Sequence, residues 1–245
     1  MGTQTPPLAM PVQHAAYSGF TATHAPTAPP AAAAPLNTLV RANEANLVLL
    51  CGMAYDASSS MSGSKITATA DASVLAKNEF AQMVRQHKRC RLYEASFSDT
   101  ARTVMPWTDA AQAGARPALS ANGCTDIFAA LMLLHSEIGK ERQALLAQGL
   151  NPRAVALLMS DGGHNGAGNP EDAATRLRND GVILVTLAFG SDADFGALQR
   201  MAYSPAHAYT AANPQALKDF FQRFGKTVTQ SHPALLQQSM ATMTR

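Results

Sequence analysis

Apolar residues recur along this chain in three runs bounded by glycine or polar residues, at 46–54, 153–160 and 181–190. Runs of that length without strict alternation read as strands buried on both faces, the pattern of a parallel sheet interior. Between and after them lie segments with helical spacing at 64–87, 126–147, 170–179, 193–202 and 214–226. Asn169-Pro170 and Asn213-Pro214 each put a capping side chain before a first-turn proline. Glu171 and Asp172 then suit the dipole of their helix, and Asp192 is the expected cap of the next. Segments 90–97 and 102–105 mix charges with apolar residues and read as a short polar strand pair at an exposed edge. The alternation of strand and helix predicts an α/β fold. Its sheet should be doubly wound and mostly parallel, with helices on both faces and one short antiparallel edge strand.

The flanks have a different composition. Residues 1–40 are rich in Ala, Pro and Thr and nearly uncharged, which predicts a flexible leader with too little apolar area to order. Residues 44–226 form the expected domain, and the polar, Met- and Gln-containing stretch 227–245 is expected as a tail or short helix. At 245 residues the chain is long enough for one large, well-buried core. A net charge of +2, without a basic stripe carrying aromatics, argues against a nucleic-acid partner. No apolar stretch approaches the roughly 18 residues of a membrane-spanning helix. The N-terminus lacks a basic start followed by an apolar run, so a cytoplasmic protein is expected. Cys51, Cys90 and Cys124 make neither a CxxC pair nor an even set, which fits a reducing compartment. Cys51 and Cys90 are expected to pack as small apolar residues, and Cys124, partly exposed, against the site described next rather than in redox work.

The chemistry concentrates in three loops. Tyr55-Asp56-Ala57-Ser58-Ser59-Ser60-Met61-Ser62-Gly63 follows the first strand and spaces a carboxylate and two hydroxyls as Asp-x-Ser-x-Ser. Asn122-Gly123-Cys124-Thr125-Asp126 leads into a helix, and the strand ending at Met159-Ser160 continues into Asp161-Gly162-Gly163-His164-Asn165. In a doubly wound sheet such loops line the crevice at the carboxyl ends of the strands, where ligands bind. Hydroxyls with carboxylates form a hard, all-oxygen donor set suited to Mg²⁺ or Mn²⁺ rather than Zn²⁺.

In these three segments the chain resembles the von Willebrand factor A domain, whose metal-ion-dependent adhesion site combines Asp-x-Ser-x-Ser with a distant Thr and a more distant Asp. The resemblance extends over roughly 44–226 and takes in Ser96-Phe97-Ser98 and the run 181–190. It implies metal ligands at Asp56, Ser58, Ser60, Thr125 and Asp161, with the hydroxyls bound directly and the carboxylates largely through water. Where the family often has Gly, this chain has Ser59, a position that offers no ligand atom. Asp126, His164 and Asn165 share the same face and are expected either at the outer margin of the site or against a partner. The implied function is non-catalytic: a partner protein contributes an Asp or Glu carboxylate to a bound ion. The general character of the chain is similar to stand-alone bacterial versions, including those of tellurium-resistance clusters, which implies a stress-response setting.

Plainer readings stand beside these. The serines and Asp56 would serve equally as helix cap and turn brace, and Thr125 or Asp126 as the cap of the following helix. His164 reads more readily as a solvated loop residue than as a ligand. His207 reads as structural, and Trp107 as packing on the sheet edge. A competing function is a metal-dependent phosphatase or phosphotransferase with Asp56 as nucleophile. Against it, Ser58 stands where an acid–base carboxylate is wanted, and no lysine is expected in the site, Lys65 falling at a helix start. Neither G-x-G-x-x-G nor a phosphate-binding P-loop follows the first strand.

Overall fold

The first strand, β1 (Leu47–Asp56), is buried along almost its whole length and lies between β2 (Arg89–Phe97) and β4 (Asn151–Ser160). The computed structural model describes residues 46–86, 88–161, 163–230 and Met243. The expected leader, 1–40, lies outside these residues, as does most of the expected tail. The remaining strands are β3 (Ala101–Asp109), β5 (Ile183–Phe189) and β6 (Ala208–Ala211), in the sheet order β3-β2-β1-β4-β5-β6. Every pairing is parallel except β2 with β3, so the expected α/β, doubly wound, mostly parallel sheet is what forms. The order reverses between β1 and β4, which pair from Leu47 opposite Asn151 to Tyr55 opposite Met159.

Residues of β1 alternate between two cores, because successive side chains leave a strand on opposite faces. Leu49, Cys51, Met53 and Tyr55 face helices α1 (Ser64–Arg85) and α5 (Pro214–Gln230). Val48, Leu50 and Ala54 face α2 (Ile127–Ala147), α3 (Pro170–Asn179) and α4 (Phe195–Met201). Both faces of the sheet are therefore covered, which explains the unbroken apolar runs. No helix among the described residues is long and apolar enough to cross a membrane.

Three expectations need correction. The segments 90–97 and 102–105 are not a polar pair at an exposed edge: β2 is interior, flanked by β1 and β3, and of the two only β3 lies at an edge, nine residues long. The charge on β2 is neutralised instead of solvated. Glu94, 1% exposed, accepts from the equally buried Lys77 ammonium at 2.9 Å and from the Tyr55 hydroxyl at 2.8 Å. Asp192 does not cap α4; Asp194 does, accepting from the Ala197 amide at 2.9 Å. Cys124 is exposed, whereas Cys51 and Cys90 are buried as small apolar residues. His207 is buried and bonded to Ser204, and Trp107 donates its indole N–H to the Glu137 carbonyl while its ring lies beside Tyr93.

The Lys77–Glu94 pair makes a stability prediction. Removing one charge leaves the other buried without compensation, a loss of about 3–5 kcal/mol, while removing both together costs much less. Lys77→Met should lower the unfolding free energy by that amount in urea melts, and Lys77→Met/Glu94→Met should recover much of it. A single variant as stable as wild type would contradict this account of the β2 interior.

Candidate metal centre

The three chemistry-bearing loops meet above the β1–β4 junction. Asp56 is the last residue of β1, and Ala57 prolongs the ladder by donating its amide to the Phe97 carbonyl at 2.7 Å. The chain then turns through a short 3₁₀ segment, Ser59–Met61, whose Met61 is fully buried in the α1-side core and anchors the turn. No serine side chain caps this turn or α1, whose N-cap is Gly63. The capping alternative therefore fails for Ser58 and Ser60. The turn-brace alternative for Asp56 holds: its Oδ1 accepts the Ser58 amide at 2.8 Å.

Asp56 and Asp161, about a hundred residues apart, arrive side by side because β1 and β4 are neighbours. Ser60 Oγ donates to Asp161 Oδ1 at 2.7 Å, and the Ser58 and Ser60 hydroxyls lie 3.0 Å apart. The other oxygen of Asp56 accepts the hydroxyl of Ser160, in a short hydrogen bond. Both carboxylates are buried, as are Ser58 and Thr125, while Ser60 is exposed and marks the rim of the site.

Thr125 joins through backbone contacts. The Ser59 amide donates to the Gly123 carbonyl at 3.0 Å, and the Asn122 amide to the Ala57 carbonyl at 2.8 Å. Gly123 is needed here: its φ is +70°, and a Cβ would stand 2.4 Å from the Asp99 carboxylate, which itself accepts the Cys124 amide. On its other side Thr125 is clamped by Asn165, whose Oδ1 accepts the Thr125 amide at 2.6 Å while its own amide donates to the Thr125 carbonyl at 3.0 Å. Thr125 is 5% exposed, and its hydroxyl has no hydrogen-bond partner among the described residues.

Asp126 takes the capping role, accepting from the Ala129 amide at 2.9 Å at the start of α2. His164 is not a solvated loop histidine. Its Nδ1 accepts the Ile127 amide at 3.2 Å, so the proton sits on Nε2, which donates to the Gly168 carbonyl at 2.7 Å. Asp126, His164 and Asn165 thus brace the Thr125 loop. Hydrogen bonds link Asp56, Ser58, Ser60 and Asp161 directly, and the loop that carries Thr125 adjoins them through its backbone.

The expectation that no lysine sits here is overturned. Lys65, in the first turn of α1, donates to Asp161 Oδ2 at 2.6 Å and lies 3.4 Å from Asp192. Helix α1 begins directly above the crevice, so its second residue reaches the acid of a neighbouring strand. Ser160 was also missed; a small polar residue ending an otherwise apolar strand was the available signal. No group of three or more His, Cys, Asp or Glu suited to a metal exists among the described residues, so any ion held here must rely on hydroxyls.

Electrostatics separate Asp56 from an ordinary surface carboxylate. Burial pushes Asp56 above its usual value of 3.8, opposed by the Ser160 and Ser58 hydrogen bonds and reinforced by the nearby Asp161 charge. For Lys65, burial disfavours the ammonium, but the hydrogen bond and charge of Asp161 outweigh it and raise its pKa.

The von Willebrand factor type A domain model matches residues 53–223, and the chain belongs to that family, a class of metal-dependent protein-interaction modules. The solved structures it is similar to include proximal thread matrix protein 1 from the mussel byssus, at 20% identity and a TM-score of 0.57, covering 76% of this chain and 47% of that one. Another structure of that protein, with a zinc-occupied MIDAS (metal-ion-dependent adhesion site) motif, matches at 19% identity and a TM-score of 0.54, over 76% and 47% of the two chains. A von Willebrand factor type A protein from Catenulispora acidiphila matches at 16% identity and a TM-score of 0.59, over 76% and 48%. The vWF domain of the type V pili tip protein Mfa5 from Porphyromonas gingivalis matches at 13% identity and a TM-score of 0.57, over 76% and 96%. At these identities the likeness concerns the fold. The chain spans about half the length of the mussel chain it matches. No curated protein matches it.

The raised pKa of Asp56 fixes the sign of a pH effect. Its folded value lies above its unfolded one, so this group's contribution to stability is full below pH 3.8 and is lost as pH rises through the raised value. Asp56→Asn should therefore melt higher than wild type at pH 7 in EDTA, since it removes a buried charge while keeping an acceptor for Ser58. A lower melting temperature than wild type would show that the ionised carboxylate stabilises the fold by itself.

Proposed function

We propose that this domain binds another protein through a divalent ion, Mg²⁺ or Mn²⁺, held by Ser58, Ser60 and Thr125 with Asp56 and Asp161 behind them. The observation that carries this reading is the unequal commitment of the donors. Asp56 is held by Ser58 and Ser160, and Asp161 by Ser60 and Lys65, while the Thr125 hydroxyl has no hydrogen-bond partner among the described residues. Neutral hydroxyls are then the direct donors, with the carboxylates reaching the ion largely through water, as the family resemblance implies. Water retained in the coordination sphere suits Mg²⁺, which dehydrates reluctantly. Zinc in the MIDAS motif of the mussel protein supports a divalent ion here, although an all-oxygen set favours the harder cations.

Held this way, a bound ion supplies an open coordination position for an Asp or Glu carboxylate from the partner. The chain's own residues do the rest. Asp56 and Asp161 orient water and hydroxyls from a buried floor, and the exposed Ser60 marks the side from which the partner arrives.

Phosphoryl transfer is the competing chemistry, and Lys65 beside Asp161 is the observation in its favour. Asp56 weighs against it. Its carboxylate is buried with an oxygen committed to each of two hydrogen bonds, and Ser58 stands where the acid–base carboxylate is wanted. The setting we propose is a bacterial cytoplasm and a stress-response system of the tellurium-resistance kind. It is supported by the unpaired cysteines and by Ser96-Phe97-Ser98 at the end of β2.

A ligand bound only by the native state stabilises it by about 2.7 kcal/mol at a hundredfold excess over its dissociation constant, or roughly 5–10 °C for a domain of this size. Saturating Mg²⁺ or Mn²⁺ should raise the melting temperature on that scale, and EDTA should reverse it. Ser60→Ala and Thr125→Ala should match wild type in EDTA but lose the rise. Partners captured in Mg²⁺ should be released by EDTA and missing with Thr125→Ala. A melting curve indifferent to millimolar metal would sink the proposal.

A further inference from the structure

Lys65 is the one cation built into this site among the described residues, and its surroundings are shaped to hold it. Its ammonium lies 2.6 Å from Asp161 and 3.4 Å from Asp192. Gly190, which ends β5 with a φ of +105°, leaves the necessary space: a Cβ there would stand 3.2 Å from Lys65 Nζ and 2.8 Å from the Asp192 carboxylate. The Lys65 side chain is 26% exposed, the Asp192 side chain 71% and the Asp161 side chain fully buried. Lys65 is thus held mainly by the buried acid, and water screens the exposed one.

We propose that Lys65 sets the charge of the metal-loaded site, leaving it net positive so that an incoming carboxylate is attracted at some cost to metal affinity. The inference rests on the metal-dependent reading above. Asp56 and Asp161 together cancel the charge of a divalent ion, and the Lys65 ammonium adds one positive unit beside them, which the solvent-screened Asp192 carboxylate 3.4 Å away offsets only in part. A site without that ammonium would be neutral once loaded and would attract an anion only through the ion's open coordination position. Orientation of Asp161 does not depend on Lys65 alone, because Ser60 Oγ holds its other oxygen at 2.7 Å. Removing the ammonium therefore changes mainly charge. One unit charge near a divalent ion in solvent-like surroundings corresponds to about a fivefold to tenfold change in affinity.

The test uses the full chain and Mn²⁺, followed by the EPR signal of the free ion, with acetate as the carboxylate probe on the loaded protein. Lys65→Gln should bind Mn²⁺ about fivefold to tenfold more tightly than wild type, the difference shrinking in high salt. The loaded variant should hold acetate several-fold more weakly, and Lys65→Arg should behave as wild type in both measurements. Unchanged or weaker Mn²⁺ binding by Lys65→Gln would overturn the proposal, the weaker result indicating that Lys65 only braces Asp161. Wild type that binds no Mn²⁺ would overturn the metal reading and this inference with it. Mn²⁺ binding by wild type that is insensitive to the charge at position 65 would overturn this inference alone.

Discussion

The parallel pairing of β1 with β4 is the constraint from which the upper rim of the molecule follows. With Tyr55 opposite Met159, the two strands end level, and each delivers a carboxylate to the crevice where the sheet changes direction. A slip of one residue along that ladder would turn the strands' side chains to opposite faces and separate Asp56 from Ser160 and Asp161. Such a slip is opposed by the cores on both faces, since β1 feeds Leu49, Cys51, Met53 and Tyr55 to one and Val48, Leu50 and Ala54 to the other. Burial over the length of the strand thus sets the positions of a few oxygen atoms at its end.

The same strand explains how two charges come to be stable in different settings. Tyr55 reaches the Glu94–Lys77 pair inside the α1 face, where both charges are buried and matched. One residue later Asp56 enters the crevice with no cation against it among the described residues; hydrogen bonds from Ser58 and Ser160 offset only part of its burial. Asp161, by contrast, has Lys65. The site therefore pairs an acid that burial resists with an acid already neutralised, and Ser58 and Ser60 link the two.

Most of the fold was legible in the sequence because its strongest signals are local. The unbroken apolar runs marked β1, β4 and β5, and Asn169-Pro170 and Asn213-Pro214 marked the starts of α3 and α5. Apart from the exposure of Cys124, the errors were questions of partners. Charges on β2 suggested water, but Glu94 meets Lys77, a residue of a helix whose apolar and polar positions alone do not reveal an inward-pointing ammonium. Asp192 had the composition of a cap, yet it reaches across to Lys65 while Asp194 does the capping. The candidate ligands were readable because their motif lies on loops that the strand order brings together. Lys65, Ser160 and the brace of His164 and Asn165 were not, since their roles depend on how α1 and the loop after β4 lean over the crevice.

Which oxygen atoms touch the ion is the central claim, and a Mn²⁺-soaked crystal read by its anomalous signal tests it most directly. The account predicts a peak within coordination distance of the Ser58, Ser60 and Thr125 hydroxyls, with Asp56 and Asp161 one water molecule away and an open position toward solvent. A peak bound directly by both carboxylates, or one away from Thr125, would contradict it.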